Sequence, residues 1–297
     1  TILSGIRNAV KEGTEIIHAE DNRMGQAEKA AAAADVAIVC VGNHPYGTRA
    51  DWKFSPVPSD GREAVDRKSL MLPDEDLVKL VLKANPNTIL VLVSSFPYTI
   101  NWSQEHVPAI VHITHCSQEQ GNGLADVLFG KVNPAGRTVQ TWVKDITDLP
   151  DMMDYDIRNG RTYMYHQGPV LYPFGYGLSY TTFEYSDIQP SSVIAEEGDT
   201  LQFSVNVTNT GNVDGEEVVQ LYIRDMKGSV TRPVKELKGF KKIMIKAGES
   251  RKVTFNLSPE DLSFTRKDMT WGQEKGEYKL WIGGDSNANL EASFTIK

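Results

Sequence analysis

Glu63, Asp66 and Arg67 stand close together in the polar stretch Ser59-Asp-Gly-Arg-Glu-Ala-Val-Asp-Arg-Lys-Ser-Leu-Met-Leu-Pro73. A carboxylic acid on a long irregular segment can donate a proton over a pocket if a dry, enclosed site raises its pKa. By spacing alone the plainer reading of Glu63 is a solvated loop carboxylate. Asp66 and Arg67, followed by Leu70, Leu72 and Pro73, read as structural. Ion pairs and backbone hydrogen bonds from them would pin the segment's return onto its domain. A second candidate is Gln118-Glu-Gln-Gly-Asn-Gly123, whose glycines could admit an anion to backbone N–H groups. No P-loop Lys-Ser/Thr pair follows it, so a phosphate site is not assigned. Cys40, Cys116, His44 and His115 lack the close paired spacing of zinc ligands, and no metal is assigned. No G-x-S-x-G elbow marks a serine hydrolase.

Two kinds of periodicity must position these groups. Ile2, Ile6 and Val10 recur at helical spacing within Thr1–Lys11, and Ala27–Ala34 and Asp74–Ala84 also read as helices. Thr14–His18 reads as a strand. Val36–Val41, Thr88–Val93 and Pro108–Ile113 are continuous apolar strands, and a further helix is expected near Leu124–Phe129. Buried apolar runs separated by helices predict a mostly parallel sheet with helices on both faces. The irregular segment Gly42–Pro73 begins at a strand's carboxyl end, where open α/β sheets place their ligands. From Thr200 the period changes to two. Thr200–Asn209, Glu217–Ile223, Val253–Leu257 and Tyr278–Ile282 alternate, separated by turn clusters, and predict an all-β sandwich. Between the halves runs Tyr172-Pro-Phe-Gly-Tyr-Gly-Leu-Ser-Tyr-Thr-Thr-Phe-Glu-Tyr185, whose rings require burial and read as a rigid joint rather than a flexible linker.

The chain's 297 residues suit two domains. A net charge of -8 without a Lys/Arg cluster argues against a nucleic-acid surface, and no apolar run is long enough to span a bilayer. Two cysteines cannot build a disulfide framework; both read as buried free thiols. The chain opens at Thr1 inside a helical pattern, without an initiator Met or a signal peptide, so a processed product or a piece of a longer protein is expected. Three Asn-x-Ser/Thr triplets, at Asn101, Asn206 and Asn256, are too common by chance to carry an inference.

The aromatic run resembles the "PFGYGLSYTxFxY" segment of glycoside hydrolase family 3. Glu63-Ala-Val-Asp66-Arg67-Lys-Ser-Leu-Met-Leu-Pro73 is similar to that family's "E-x-x-D-R-x-x-L-x-L-P" element with its spacing intact. Gln118–Gly130 and Asn133-Pro-Ala-Gly-Arg137 resemble "GQEGGxAxADVLFG" and "NPSGRL". Gly160-Arg-Thr-Tyr-Met-Tyr165 and Gly168–Gly175 look like the family's β-xylosidase branch, although Arg161 and Tyr163 themselves read as packing residues. The pattern departs at Thr114-His-Cys-Ser117, where the family carries an aromatic and Pro-Gly.

The resemblance implies an α/β-sandwich domain over residues 1–182, then a fibronectin type III-like domain over 183–297. It implies that Glu63 is the general acid/base of a retaining exo-acting β-glucosidase or β-xylosidase. The nucleophile would be an Asp on an N-terminal (β/α)8 barrel, which would be this chain's partner alongside an oligosaccharide substrate. No cofactor is implied, and a periplasmic or secreted address is expected from the family. Two other readings stand beside it. One is a non-catalytic carbohydrate-binding module using Trp52, Trp102 and Trp271; the other is an interdomain scaffolding fragment.

Overall fold

The computed structural model describes residues 1–43, 67–190 and 193–297. Two compact units divide them. The first holds residues 1–132 and 142–148; the second holds 133–141 and 149–297.

In the first unit the elements run α1 (Ile2–Ala9), α2 (Gln26–Ala32), β1 (Ala37–Gly42), α3 (Glu75–Ala84), β2 (Thr88–Val93), α4 (Asn101–His106), β3 (Ala109–Ile113), α5 (Gln120–Leu128) and the short β4 (Trp142–Val143). Strands β1, β2 and β3 form a parallel sheet in that order, with Ala37 opposite Thr88 and Ile89 opposite Ala109. Leu90, Val91 and Leu92 of the central strand are all 0% exposed. Successive strand residues face opposite sides, so both faces of β2 are covered. Asn85 ties α2 to the start of β2. Its amide donates to Ala31 O at 3.0 Å and Ala34 O at 2.7 Å, and its Oδ1 accepts from Asn87 N. Helices α1 and α5 cross at glycines: a Cβ on Gly121 would lie 2.0 Å from Thr1 O, and one on Gly5 2.0 Å from Gly121 O. Gly121 at the start of α5 therefore serves close helix packing.

Three expectations are corrected here. Thr14–His18 forms no strand; it is mostly exposed and has no ladder partner among the described residues. Helix α5 starts four residues earlier than expected, with Gly121 and Gly123 inside the helix rather than in a turn and Gly121 buried against α1. Cys40 and Cys116 are exposed free thiols, not buried ones. Along β1, Ala37, Val39 and Val41 take the covered face, and the period of two turns Cys40 away from it. An open cavity of about 420 Å³ lies beside Cys40, walled by Asp74, Leu77 and Leu80.

The second unit carries β5 (Val170–Tyr172), β6 (Phe183–Pro190), β7 (Ile194–Ala195), β8 (Leu201–Asn209), β9 (Gly215–Asp225), β10 (Glu236–Ile245), β11 (Ser250–Leu257), α6 (Pro259–Leu262), β12 (Phe264–Thr265), β13 (Trp271–Gly272), β14 (Gly276–Gly283) and β15 (Leu290–Ile296). One sheet is ordered β10-β9-β14-β15-β7 and the other β11-β8-β6. Phe203, Val205 and Val207 from β8 share one core with Leu221 and Ile223 from β9, Leu280 and Ile282 from β14, and Phe294 from β15. The Phe203 and Phe294 rings meet at 5.4 Å. This is the sandwich that the alternation predicts.

The aromatic run packs within this unit. Phe174 stacks on Tyr163 at 4.4 Å, and Tyr172 on Tyr176 at 5.2 Å. Gly175 has φ +83°, and a Cβ there would lie 2.2 Å from the Gln220 amide, which itself donates to Gly175 O. Leu178 and Tyr180 remain exposed.

Candidate functional site

Parallel strands present their carboxyl ends together, and the residues that directly follow three strands meet there in the first unit. Asn43 follows β1, Ser94 to Phe96 follow β2, and Thr114 and His115 follow β3. Asn43 N donates to Val93 O at 2.9 Å and Ser94 N to Ile113 O at 3.0 Å, extending the ladder one residue past each strand. Ser95 N donates to Asn43 Oδ1 at 3.3 Å. His115 then joins the residues after β1 and β2: its Nδ1 lies 2.6 Å from Ser95 Oγ, and its Nε2 bonds Asn43 O. A carbonyl only accepts, so Nε2 carries a proton, and a neutral ring receives the Ser95 hydroxyl hydrogen at Nδ1. Next to this, Ser94 Oγ contacts His112 Nε2 at 3.1 Å.

Arg67 re-enters at the same edge. Its guanidinium carbon lies 3.9 Å from the Phe96 ring centroid and 4.8 Å from that of Tyr98. Tyr98 is fully buried, and Thr99 N donates to Leu70 O at 2.8 Å. Leu72 is buried two residues later. Arg67 thus has a cation–π seat on two rings of the residues after β2.

Glu63, Asp66, His44 and Trp52 lie outside the described residues. Glu119 is exposed before α5 and accepts from Asn122 Nδ2 at 2.5 Å. Among the described residues no group of three potential metal ligands is assembled. Of the aromatic candidates for a sugar platform, Trp102 has His106 stacked on it at 4.5 Å and 9°. Trp271 is 59% exposed, with its indole N–H on Glu260 at 3.1 Å. Among the described residues neither belongs to a row of open rings.

Asn133-Pro-Ala-Gly-Arg137 has a different use, inside the second unit. Arg137 Nη2 meets Glu217 Oε2 at 2.5 Å, with the two side chains 9% and 5% exposed. Tyr185 OH donates to Glu217 Oε1 at 2.6 Å. Asn133 donates to Asp214 O at 2.9 Å and accepts from Ser179 Oγ and Tyr180 N, each at 2.8 Å. The motif fastens residues 133–137 to the sandwich strands.

Residues 1–180 match the family model for the glycosyl hydrolase family 3 C-terminal domain, and residues 217–286 match that of a fibronectin type III-like domain. A putative β-xylosidase of Formosa agariphila is 40% identical over 75% of this chain and 30% of its own length. A periplasmic β-glucosidase of Salmonella typhimurium is 32% identical over 100% of this chain and 42% of its own. The solved β-D-glucoside glucohydrolase of Trichoderma reesei superposes with a TM-score of 0.83 at 28% identity, covering 96% of this chain and 43% of that one. The chain therefore spans well under half the length of each of these relatives.

Proposed function

The chain belongs to glycosyl hydrolase family 3, and from that premise we propose that it is the C-terminal part of a retaining exo-acting β-glycosidase, a β-glucosidase or β-xylosidase. In this reading it supplies the general acid/base, Glu63, and an N-terminal (β/α)8 barrel of the same protein supplies the nucleophilic carboxylate. The domains are residues 1–182 and 183–297, supported by the family match that ends at residue 180. Residues 149–182, the tail of the first domain, then pack with the sandwich strands.

The chemistry needs two carboxyl groups. Glu63 starts protonated and gives its proton to the departing glycosidic oxygen as the barrel carboxylate bonds to the anomeric carbon. The resulting Glu63 carboxylate then takes a proton from water. The hydroxide so formed attacks the anomeric carbon and frees the nucleophile, so configuration is retained.

The observation that carries this reading is the fixing of Asn43 and Arg67. Both flanks of the segment bearing Glu63 are held at the carboxyl edge of a parallel sheet, where such sheets present catalytic groups. Half a site should bind sugar poorly. Calorimetric titration of the 297-residue chain with glucose, xylose, cellobiose and xylobiose is expected to show no saturation in the millimolar range. Tight binding of any of them would favour a carbohydrate-binding module instead.

A further inference from the structure

We propose that the loop over residues 151–157 is a docking surface for the N-terminal part of the same polypeptide. The inference rests on the reading of this chain as the C-terminal part of a longer protein and deepens it.

The loop lies within the second unit and shows apolar side chains to solvent. Met152, Met153 and Tyr155 are 66%, 75% and 84% exposed. The backbone that carries them is nonetheless braced from several sides. Asp154 N donates to Asp151 O at 2.9 Å. Arg161 Nη2 donates to the carbonyls of Asp151 and Asp154, at 2.7 and 2.6 Å. Asp154 Oδ1 accepts from Asp156 N at 2.9 Å, and its Oδ2 accepts from Asn159 Nδ2 at 2.7 Å. Asp156 in turn holds the Arg158 guanidinium through both carboxylate oxygens. Two residues past Arg161, Tyr163 anchors the stretch to the sandwich. Its ring stacks on Phe174, and its OH accepts from Leu237 N at 3.1 Å.

The two kinds of side chain are used in opposite directions. The carboxylates, Asn159 and the two arginines bond back onto the loop, while Met152, Met153 and Tyr155 stand out from it. A single exposed apolar side chain is ordinary, but three within four residues make a patch. Tyr is a rigid anchor, and Met adapts to the surface it meets. A backbone fixed beforehand loses less entropy on docking. The length of the relatives points to the occupant. The chain covers 30%, 42% and 43% of the β-xylosidase, the β-glucosidase and the glucohydrolase, and its residues 1–180 match a C-terminal domain. In a longer protein the remainder is tethered to the loop. A tethered partner docks on a small patch at an effective concentration that a free one does not reach.

The test is a cross-link. In the full-length protein, p-benzoylphenylalanine replaces Tyr155, the sample is irradiated, and the joined peptides are identified by mass spectrometry. The link is expected to reach a peptide N-terminal to Thr1, at the mass of a single chain. A product of twice that mass would make a second copy the occupant and overturn the proposal. A link only to residues 1–297, or no link, would overturn it as well. Stability gives a second reading. Met153→Ser and Tyr155→Ser together should lower the Tm of the second unit by about 4–8 °C in the full-length protein, the scale of a lost interface anchor. In the isolated 297-residue chain the same pair should cost less than about 2 °C, as exposed positions do. Equal shifts in the two would show that these side chains serve the loop alone, and the docking surface falls. Glycosidase activity is assayed on the same sample before irradiation. Activity without the link refutes the docking surface alone. The link without activity refutes the glycosidase reading and leaves the docking surface standing.

Discussion

Glu63→Gln in the full-length enzyme is expected to slow hydrolysis of natural β-disaccharides by about 10²- to 10⁴-fold, the usual worth of a positioned general acid. The effect follows the leaving group. A sugar alkoxide is a poor leaving group and needs its proton during bond cleavage, whereas an activated phenolate departs without one. Aryl glycosides should therefore keep most of their glycosylation rate. The second step also loses its base, so the glycosyl-enzyme should accumulate, and added azide, which needs no deprotonation, should restore turnover. In a closed complex the Glu63 carboxyl should stand about 5–5.5 Å from the barrel nucleophile. Uniform loss across substrates without azide rescue would make Glu63 a loop carboxylate and turn the search to Glu119.

Arg137→Ala should strongly destabilise the second unit. The guanidinium and the Glu217 carboxylate are both almost fully buried, and Tyr185 OH occupies the other carboxylate oxygen. Burial first, and then the charge of Glu217, push the Tyr185 phenol up, so it remains a hydrogen donor at all working pH values. Removing Arg137 leaves a buried carboxylate with that single donor. Breaking such a pair from one side costs about 3–5 kcal/mol. Replacing both partners by apolar residues of similar volume should recover much of it, because no uncompensated charge then remains. Urea unfolding of the 297-residue chain, followed by Trp fluorescence, measures both variants. A loss below about 1 kcal/mol for Arg137→Ala would mean that the pair is as weak as a surface one.

What the sequence disclosed depended on how local the signal was. Thr88–Val93 is a run of β-branched and leucine side chains, and it forms β2 over those very residues. Helix α4 left no such trace. Asn101–His106 is short and polar, and it docks because Ser103 N and Oγ donate to Glu75 Oε1 from another helix. Strand β10 was hidden for a different reason. It is a sheet edge, rich in Lys238, Lys241 and Lys242 as exposed edges tend to be, and a register shift between Leu237 and Gly239 breaks its alternation. Strand β15 alternates Leu290, Ala292, Phe294 and Ile296, but small and polar neighbours dilute the pattern. Thr14–His18 failed in the opposite direction: its local pattern suits a strand, and no edge among the described residues completes it.

The candidate site was legible as motifs and not as contacts. The spacing from Glu63 to Pro73 marks the segment, but the Arg67 seat depends on Phe96 and Tyr98 from the residues after β2. Arg137 is conspicuous in its motif, and its partner comes 80 residues later. The His115 bridge joins residues that only the parallel sheet brings together. Tertiary pairings of this kind leave no periodic trace in a single chain.

The central claim, that this chain contributes one carboxyl group to a two-carboxyl site, is tested most directly by turnover. Purified 297-residue chain and the full-length protein are assayed side by side on aryl β-glucosides and aryl β-xylosides. The account predicts hydrolysis by the full-length protein and none by the chain alone. Turnover by the isolated chain, abolished by a substitution within it and thus not due to a contaminant, would contradict the account and place the nucleophile among these residues.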